Sequence, residues 1–381
     1  MLWGIFLLLL VSLGLLAWRF SDAILKPEPY HLYPEFNILD YKDGLVRLPK
    51  PINDRQFANT LREGNYVLLW ADSIGRLGKV QEQDENSVTR ELELIVGPPP
   101  RPGEAARLDS FVFRRNPKDD HDLSYQELFL EGPAGKLHCW WIEQDPRKAI
   151  YLLHGRRRGQ IVEVQRILPE LVAMGYSVFA LSYRNHSQSA GSPNGFYHYA
   201  ASEWEDALVG LEFLKQQGIA ELALYGFSMG GAVSLELYKH LNPNDKSLIK
   251  AIILDAPLLD PKDVFRFGAR RLGIPALPAM WLTSLTMFTS GLRTGIDWQS
   301  LDQRKTAKDI SVPVLLFMGT ADTTIPIELV DAFAKEVPNL DYVRLEGVEH
   351  VEAWNIDPKA YEAKVATFLE ANLPVAIKPE H

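Results

Sequence analysis

Leu222-Ala223-Leu224-Tyr225-Gly226-Phe227-Ser228-Met229-Gly230-Gly231 is an apolar strand that runs straight into a serine flanked by glycines. Gly226-Phe227-Ser228-Met229-Gly230 fits G-x-S-x-G, a pattern that forces a serine onto a sharp strand-to-helix turn. The small flanking residues matter because a Cβ there would clash where strand and helix come together. Such a turn lifts the serine hydroxyl clear of the sheet, within reach of a base. It also sets the Met229 backbone N–H at a helix N-terminus, facing any negative charge that develops. The pentapeptide arises by chance in many chains, so its surroundings decide its meaning.

Those surroundings alternate. From about residue 122, Tyr125–Leu130 and Lys136–Ile142 flank Gly132-Pro133-Ala134-Gly135 as a hairpin, and Ala149–Leu153 is a short buried strand. Ile161–Met174 reads as a helix and Tyr176–Ser182 as a strand. Ser202-Glu203-Trp204-Glu205 reads as a capping box opening a further helix. Strands at Ala251–Asp255, Val314–Met318 and Tyr342–Leu345 follow, and Asp357-Pro358 starts a last helix. Apolar strands alternating with amphipathic helices predict a mainly parallel sheet covered on both faces. Sites in such sheets lie at the carboxyl ends of the strands.

Three polar residues stand at those ends in the order Ser228, Asp322 (in Gly319-Thr320-Ala321-Asp322) and His350 (in Gly347-Val348-Glu349-His350). A serine hydroxyl is a poor nucleophile until an imidazole removes its proton, and a carboxylate fixes that imidazole's tautomer. Asp255, in Asp-Ala-Pro, is the competing acid. His154-Gly155-Arg156 ends the first core strand, where a second oxyanion donor is expected, so the Arg156 backbone N–H pairs with that of Met229. His154 itself reads as a buried imidazole holding the loop. Arg156-Arg157-Arg158 reads either as a solvated run or as a cationic rim for a carboxylate or phosphate. Residues 258–310 are too long for a simple crossover. Phe265, Phe267, Leu272, Leu277, Trp281, Met287 and Phe288 among them suit a helical cap that roofs the site and lines an acyl or aromatic pocket; packing on the domain or touching a membrane is the plainer alternative.

The N-terminal part differs in kind. Leu2 to Trp18 is uncharged and almost wholly apolar. It predicts a single-pass membrane anchor over residues 1–20, at the short end for a spanning helix. The rival is a cleaved signal peptide with Ser21-Asp22-Ala23 as its cleavage site and a secreted product. Arg19 and Lys26 beyond the run lean toward a cytoplasmic body. Residues 21–120 divide into a tether, a helix near Asp54–Arg62, and short strands at Tyr66–Val80, Ser87–Val96 and Leu108–Arg114, a small β-rich appendage whose expected role is to cover an edge of the main sheet. Among 381 residues, 46% are hydrophobic, enough for one large core and a smaller appendage. The formal charge of −9 argues against a nucleic-acid partner, and the single cysteine, Cys139, excludes an internal disulfide or a cysteine-rich metal site.

Residues from about 122 to 373 resemble the α/β-hydrolases. The resemblance rests on His154-Gly155-Arg156, Tyr183–Ser189, Gly226–Gly231, Gly319–Asp322 and Glu349–Trp354. Within that superfamily the chain is similar to bacterial esterases and acyl hydrolases, and to the prolyl-oligopeptidase-like branch. The likeness implies Ser228 as nucleophile, His350 as base, Asp322 as acid and Met229 and Arg156 as oxyanion donors. In the D-Y-R-G-H-G-x-S segment of the family, Ser182, Asn185 and Ser187 stand where Asp and two glycines are usual. The sequence reading is thus a membrane-anchored serine hydrolase domain over 121–375, acting on a small ester with an apolar acyl or aromatic part and needing no metal or organic cofactor. A peptidase or amidase with the same residues, and a catalytically silent scaffold at the membrane, are the alternatives.

Overall fold

The structure, a computed structural model, describes residues 2–27, 33–51, 60–156 and 161–375; for residues 2–10 it describes the backbone alone. Helix α1 (Leu2–Leu25) comes first. Strands β1 (Phe36–Asn37), β2 (Asp40–Lys42), β3 (Leu45–Pro49), β4 (Tyr66–Trp70), β5 (Ser73–Gln83), β6 (Ser87–Val96) and β7 (Ala105–Asp109) form an antiparallel sheet in the order β1-β7-β4-β5-β6-β3-β2. Strand β3 alternates buried and exposed residues, and the first half of β5 alternates buried and half-buried ones, as in a sheet with one face better covered than the other. Val46, Leu48, Tyr66, Leu68, Trp70 and Leu77 belong to a core of its own.

After α2 (Pro117–His121), the second sheet is built from β8 (Gln126–Gly132), β9 (Gly135–Ile142), β10 (Lys148–Leu153), β11 (Ser177–Leu181), β12 (Glu221–Phe227), β13 (Ile249–Asp255), β14 (Val314–Gly319) and β15 (Leu340–Leu345). Its order is β15-β14-β13-β12-β10-β11-β9-β8, parallel except for the β8–β9 hairpin and its antiparallel seam with β11. The inner strands β11, β12 and β14 are buried almost end to end, while the edge strands β15 and β8 are not. Continuous apolar runs are what a strand covered on both faces requires. The helices on this sheet are α3 (Leu168–Ala173), α4 (Glu203–Gln216), α5 (Met229–His240), α6 (Pro243–Lys246), α9 (Ile327–Ala334), α10 (Ala353–Ile356) and α11 (Pro358–Asn372). Between β13 and β14 stand α7 (Pro261–Arg271) and α8 (Ala276–Thr294). The parallel sheet with its helices is the α/β-hydrolase architecture that the sequence predicts.

Two local expectations change. Ile161–Met174 opens as a 3-10 turn over Ile161–Arg166 before α3. Ser202 does not cap α4 with its side chain; its hydroxyl meets His198 Nδ1 at 2.8 Å. The helix expected near 54–62 lies for the most part outside the described residues, as do Arg157 and Arg158. The small sheet, expected to cover an edge of the main one, joins the body through the segment after β15. Glu352 accepts from Arg62 Nη1 at 2.7 Å and from Tyr66 Oη at 2.8 Å, and Asn355 Nδ2 donates to the Asn65 and Ser110 carbonyls.

The membrane expectation gains nothing from the fold. Among the described residues no helix is long and apolar enough to cross a membrane. The second half of α1 carries Arg19 and Asp22 and is docked on the body. Ala17, Ser21 and Leu25 are buried at four-residue intervals. Arg293 of α8 donates to Ser21 Oγ (2.8 Å) and Asp22 Oδ1 (2.5 Å), and its guanidinium lies 4.1 Å from the Trp18 ring centroid.

Candidate active site

Ser228 sits between β12 and α5 with φ 50° and ψ −113°, a backbone conformation that side chains with a Cβ rarely adopt. Its neighbours hold it there. Its N–H donates to the Asp255 carbonyl at 2.9 Å, and its carbonyl accepts from Gly231 (3.0 Å) and Leu258 (2.9 Å). The glycines are needed for space: a Cβ on Gly230 would lie 1.9 Å from the Leu153 carbonyl oxygen, and one on Gly226 2.4 Å from that of Gly230. Strand β10 and helix α5 therefore meet at backbone contact. Met229 opens α5, which places its N–H among the unsatisfied donors of the first turn.

His350 Nε2 lies 2.9 Å from Ser228 Oγ, and His350 Nδ1 lies 2.7 Å from Asp322 Oδ2. The three side chains come from three separate strand ends and form one hydrogen-bonded row. Asp322 is fixed through its other oxygen, which accepts from the Thr324 and Ile325 N–H groups at 2.7 Å each. Glu349 ties the two loops together by accepting from Thr323 N and Oγ1, both at 3.0 Å. Asp255, the competing acid, is engaged elsewhere: its Oδ2 accepts from Tyr361 Oη at 2.9 Å, and burial pushes its pKa up to about 6. Burial disfavours the His350 imidazolium, but the carboxylates of Asp322, Glu163 and Asp255 outweigh it and hold the His350 pKa above the ordinary histidine value.

Two residues that the sequence reading passed over brace this row. Glu163 is buried and accepts the Gly155 N–H at 2.5 Å, fixing the loop after β10 against the elbow. A Cβ on Gly155 would lie 3.1 Å from both Glu163 Oε2 and Ser228 Cβ, which shows how closely the three pack. Burial raises the Glu163 pKa, and Arg166 opposes that rise. Arg166, also buried, donates to the carbonyls of Glu163 (3.0 Å) and Val351 (2.6 Å), so it clips the segment after β10 to the histidine loop. The available sequence signal was an acid and an arginine inside the apolar run Ile161-Val162-Glu163-Val164-Gln165-Arg166.

Arg156 follows Gly155 beside the elbow. Its side chain does not form a free cationic rim: Nη1 donates to the Ile24 carbonyl at 3.1 Å and the guanidinium lies 4.7 Å from the Tyr199 ring centroid. His154 is buried, with Nδ1 2.7 Å from the Gly155 carbonyl oxygen. Asn185 and Ser187, which replace two usual glycines, have φ of 66° and 45°. The backbone thus keeps the glycine conformation, and Asn185 offsets the strain by accepting Ser192 N–H at 2.8 Å and donating to the Phe196 carbonyl at 2.8 Å.

With the β12–Ser228–α5 elbow resting on a parallel sheet, the fold can be compared with known ones. An esterase of Pyrococcus furiosus superposes with a TM-score of 0.55, covering 68% of this chain and 95% of that one at 23% identity, a likeness of fold. A family model described as "Serine aminopeptidase, S33" matches residues 144–303, a stretch that holds Ser228 and ends before Asp322 and His350. The chain has the α/β-hydrolase fold. Among curated proteins, the chain is 27% identical to the protein bem46 of Schizosaccharomyces pombe over 157 residues, 40% of this chain and 44% of that one. It is 33% identical to a carboxylesterase of Bacillus subtilis over 91 residues, 24% of this chain and 35% of that one. The matches therefore span less than half the length of these curated relatives. The N-terminal sheet matches, over residues 55–109, a model described as a domain of unknown function.

The cap differs from its expectation as an acyl pocket. Phe265 turns inward against Tyr199 (ring centroids 5.1 Å apart) and Met287 is buried, but Leu272, Leu277, Trp281 and Phe288 are exposed. A cleft of about 700 Å³ opens between α7 and α8, bordered by Asp263, Arg266, Met287, Trp298 and Arg304; none of Ser228, Asp322 and His350 lines it. Among the described residues no group of three or more His, Cys, Asp or Glu is arranged to hold a metal ion.

Proposed function

We propose that the protein is a serine esterase that cleaves a carboxylic ester through an acyl-enzyme. The observation that carries this reading is the unbroken row Ser228 Oγ–His350 Nε2–His350 Nδ1–Asp322 Oδ2, at 2.9 and 2.7 Å. In the first half-reaction His350 Nε2 takes the Ser228 proton as Oγ attacks the carbonyl carbon, and the carbonyl π electrons move to oxygen. The oxyanion faces the backbone N–H of Met229 at the start of α5 and that of Arg156 in the loop that Glu163 anchors. Each such donor is worth about 2.7–4 kcal/mol of transition-state stabilisation. The tetrahedral species collapses, His350 returns the proton to the departing alkoxide, and the alcohol leaves. Water, deprotonated by the same imidazole, then attacks the acyl-enzyme, which breaks down to the acid and regenerates Ser228. Asp322 keeps Nδ1 protonated and stabilises the imidazolium that forms in both halves. The direction of the His350 shift sets a pH dependence: the base works when neutral, so activity rises with pH through a midpoint above the ordinary histidine value of about 6.5.

The likeness to a serine aminopeptidase model favours one second reading, amide cleavage by the same residues. A panel of short p-nitrophenyl esters and aminoacyl amides, with Ser228→Ala as control, separates the two. Ester turnover that vanishes in Ser228→Ala supports the esterase; Ser228-dependent turnover of amides alone moves the function to the peptidase.

A further inference from the structure

Helices α1 and α8 pack on each other with their polarity reversed relative to the rest of the molecule. The side chains that α8 buries are Ala279, Thr283, Thr286, Met287 and Ser290, and those buried among the described side chains of α1 are Ala17, Ser21 and Leu25, so these inner faces are mostly small or hydroxyl-bearing. The outward side of α8 carries Leu277 (68% exposed), Trp281 (71%), Phe288 (65%) and Leu292 (74%). At about 100° per residue these four fall within an arc of roughly 60°. On α1, Val11, Leu15 and Trp18 are exposed along one side, and Leu13 and Leu16 are exposed as well, away from that side.

Small faces in close backbone contact, with large apolar side chains turned out, is how helices associate where the surroundings are hydrocarbon. In water the arrangement leaves large apolar side chains side by side and uncovered, as interaction surfaces do. Two further features point to the same surroundings. The exposed flank of α1 continues the uncharged run that begins at Leu2. In a chain of net charge −9, α7 and α8 carry Lys262, Arg266, Arg270, Arg271 and Arg293 against a single acid, Asp263. Arg270 and Arg271 are exposed next to Leu272, where anionic headgroups would meet them.

We propose that the outer face of α8, with the exposed flank of α1, docks onto the surface of a lipid bilayer, lying in the interface without crossing it. The docked surface is coupled to the candidate active site: Arg156, beside Ser228, donates to the Ile24 carbonyl at the end of α1, and Tyr199 Oη donates to the same carbonyl. The inference rests on the packing of α1 and α8 and holds whether the bond cleaved at Ser228 is an ester or an amide.

The test uses the full chain and vesicles of phosphatidylcholine, with and without phosphatidylglycerol, with brominated phosphatidylcholine as a quencher. Trp281 is expected to be quenched, seen as a fraction of emission that bromolipid removes in the wild type and that is missing in Trp281→Phe. The double variant Trp281→Ser/Phe288→Ser is expected to lose vesicle binding by about tenfold or more, because each side chain gives up its burial in the interface. Phe129→Ser, at an exposed position on β8, is expected to bind as the wild type does, and turnover of a water-soluble short ester or amide serves as the folding control for all variants. Anionic lipid is expected to tighten binding. Three results overturn the proposal: a Trp281 that bromolipid leaves unquenched, a double variant that binds vesicles undiminished, or self-association that depends on this face in a protein that does not bind vesicles.

Discussion

The sheet that carries Ser228, taken as the lower half of the molecule, and helix α8 are built to opposite rules. The parallel sheet buries its large apolar side chains, and β10, β12 and β14 are buried almost from end to end. Helix α8 buries Thr283, Thr286 and Ser290 and shows Leu277, Trp281, Phe288 and Leu292 to the outside. The first pattern is the hydrophobic effect acting in water. The second is the pattern proposed to meet a lipid surface. The difference teaches where each kind of change should act: substitutions around the sheet and Ser228 should affect chemistry and folding, while substitutions on the outer face of α8 should affect where the protein resides.

The largest expected effect tests the lower half. Ser228→Ala and His350→Ala should each lower kcat by at least about 10⁴-fold, and the double variant should fall no further, because the two act as one unit. Asp322→Asn should cost about 10⁴-fold in kcat by allowing the wrong imidazole tautomer. Asp255→Asn should cost far less, since Asp255 is bound to Tyr361 and not to His350. A stronger effect at Asp255 than at Asp322, measured by steady-state kinetics on matched preparations, would reassign the acid.

Gly230→Ala should act on folding. The added methyl would sit 1.9 Å from the Leu153 carbonyl oxygen, with backbone rather than a flexible side chain in its way. A loss of more than about 4 kcal/mol is expected from denaturant titration, or failure to accumulate folded protein.

Next come the braces. Glu163→Gln removes a carboxylate that raises the His350 pKa, so the rising limb of the pH–rate profile should move to lower pH. Glu163→Leu also frees the Gly155 N–H and should cost about 10–100-fold in kcat by loosening the oxyanion loop. A Gln variant with an unmoved profile would leave Glu163 a purely structural residue. For stability the sign is the reverse of that for activity. A histidine whose folded pKa is raised contributes stability that is fully present below its unfolded value of about 6.5 and is lost as pH rises through the folded value. The protein should therefore trade a little His350-linked stability for activity across that window.

The smallest effect tests the appendage. Glu352→Gln weakens its pairing with Arg62 and Tyr66, and should lower the melting temperature through a loss of about 1–3 kcal/mol while kcat at low temperature stays near that of the wild type.

Much of the lower half was legible in the sequence because its signals are local. The elbow needs glycine at 226 and 230, a buried parallel strand needs a continuous apolar run, and Asp322 follows such a strand, while His350 follows the edge strand β15. Glu163 and Arg166 were not legible, because their value comes from Gly155, Val351 and Asn355, partners that only the fold brings near. The joint through Glu352 was hidden for the same reason: Arg62 lies 290 positions away in the chain. The outward turn of Leu277, Trp281 and Phe288 was missed because composition counts them as apolar but does not say which way they turn. The four-residue rhythm of α8 was present in the sequence. Its small, hydroxyl-bearing opposite face was the clue that the large side chains point outward.

The central claim is that Ser228 is the nucleophile, activated by His350. Reaction of the full-length protein with a fluorophosphonate probe, followed by peptide mass mapping, tests it most directly. The account predicts one equivalent of label on Ser228, abolished in Ser228→Ala and slowed by orders of magnitude in His350→Ala. Folded wild-type protein that takes up no label, or label that persists undiminished in Ser228→Ala, would contradict it.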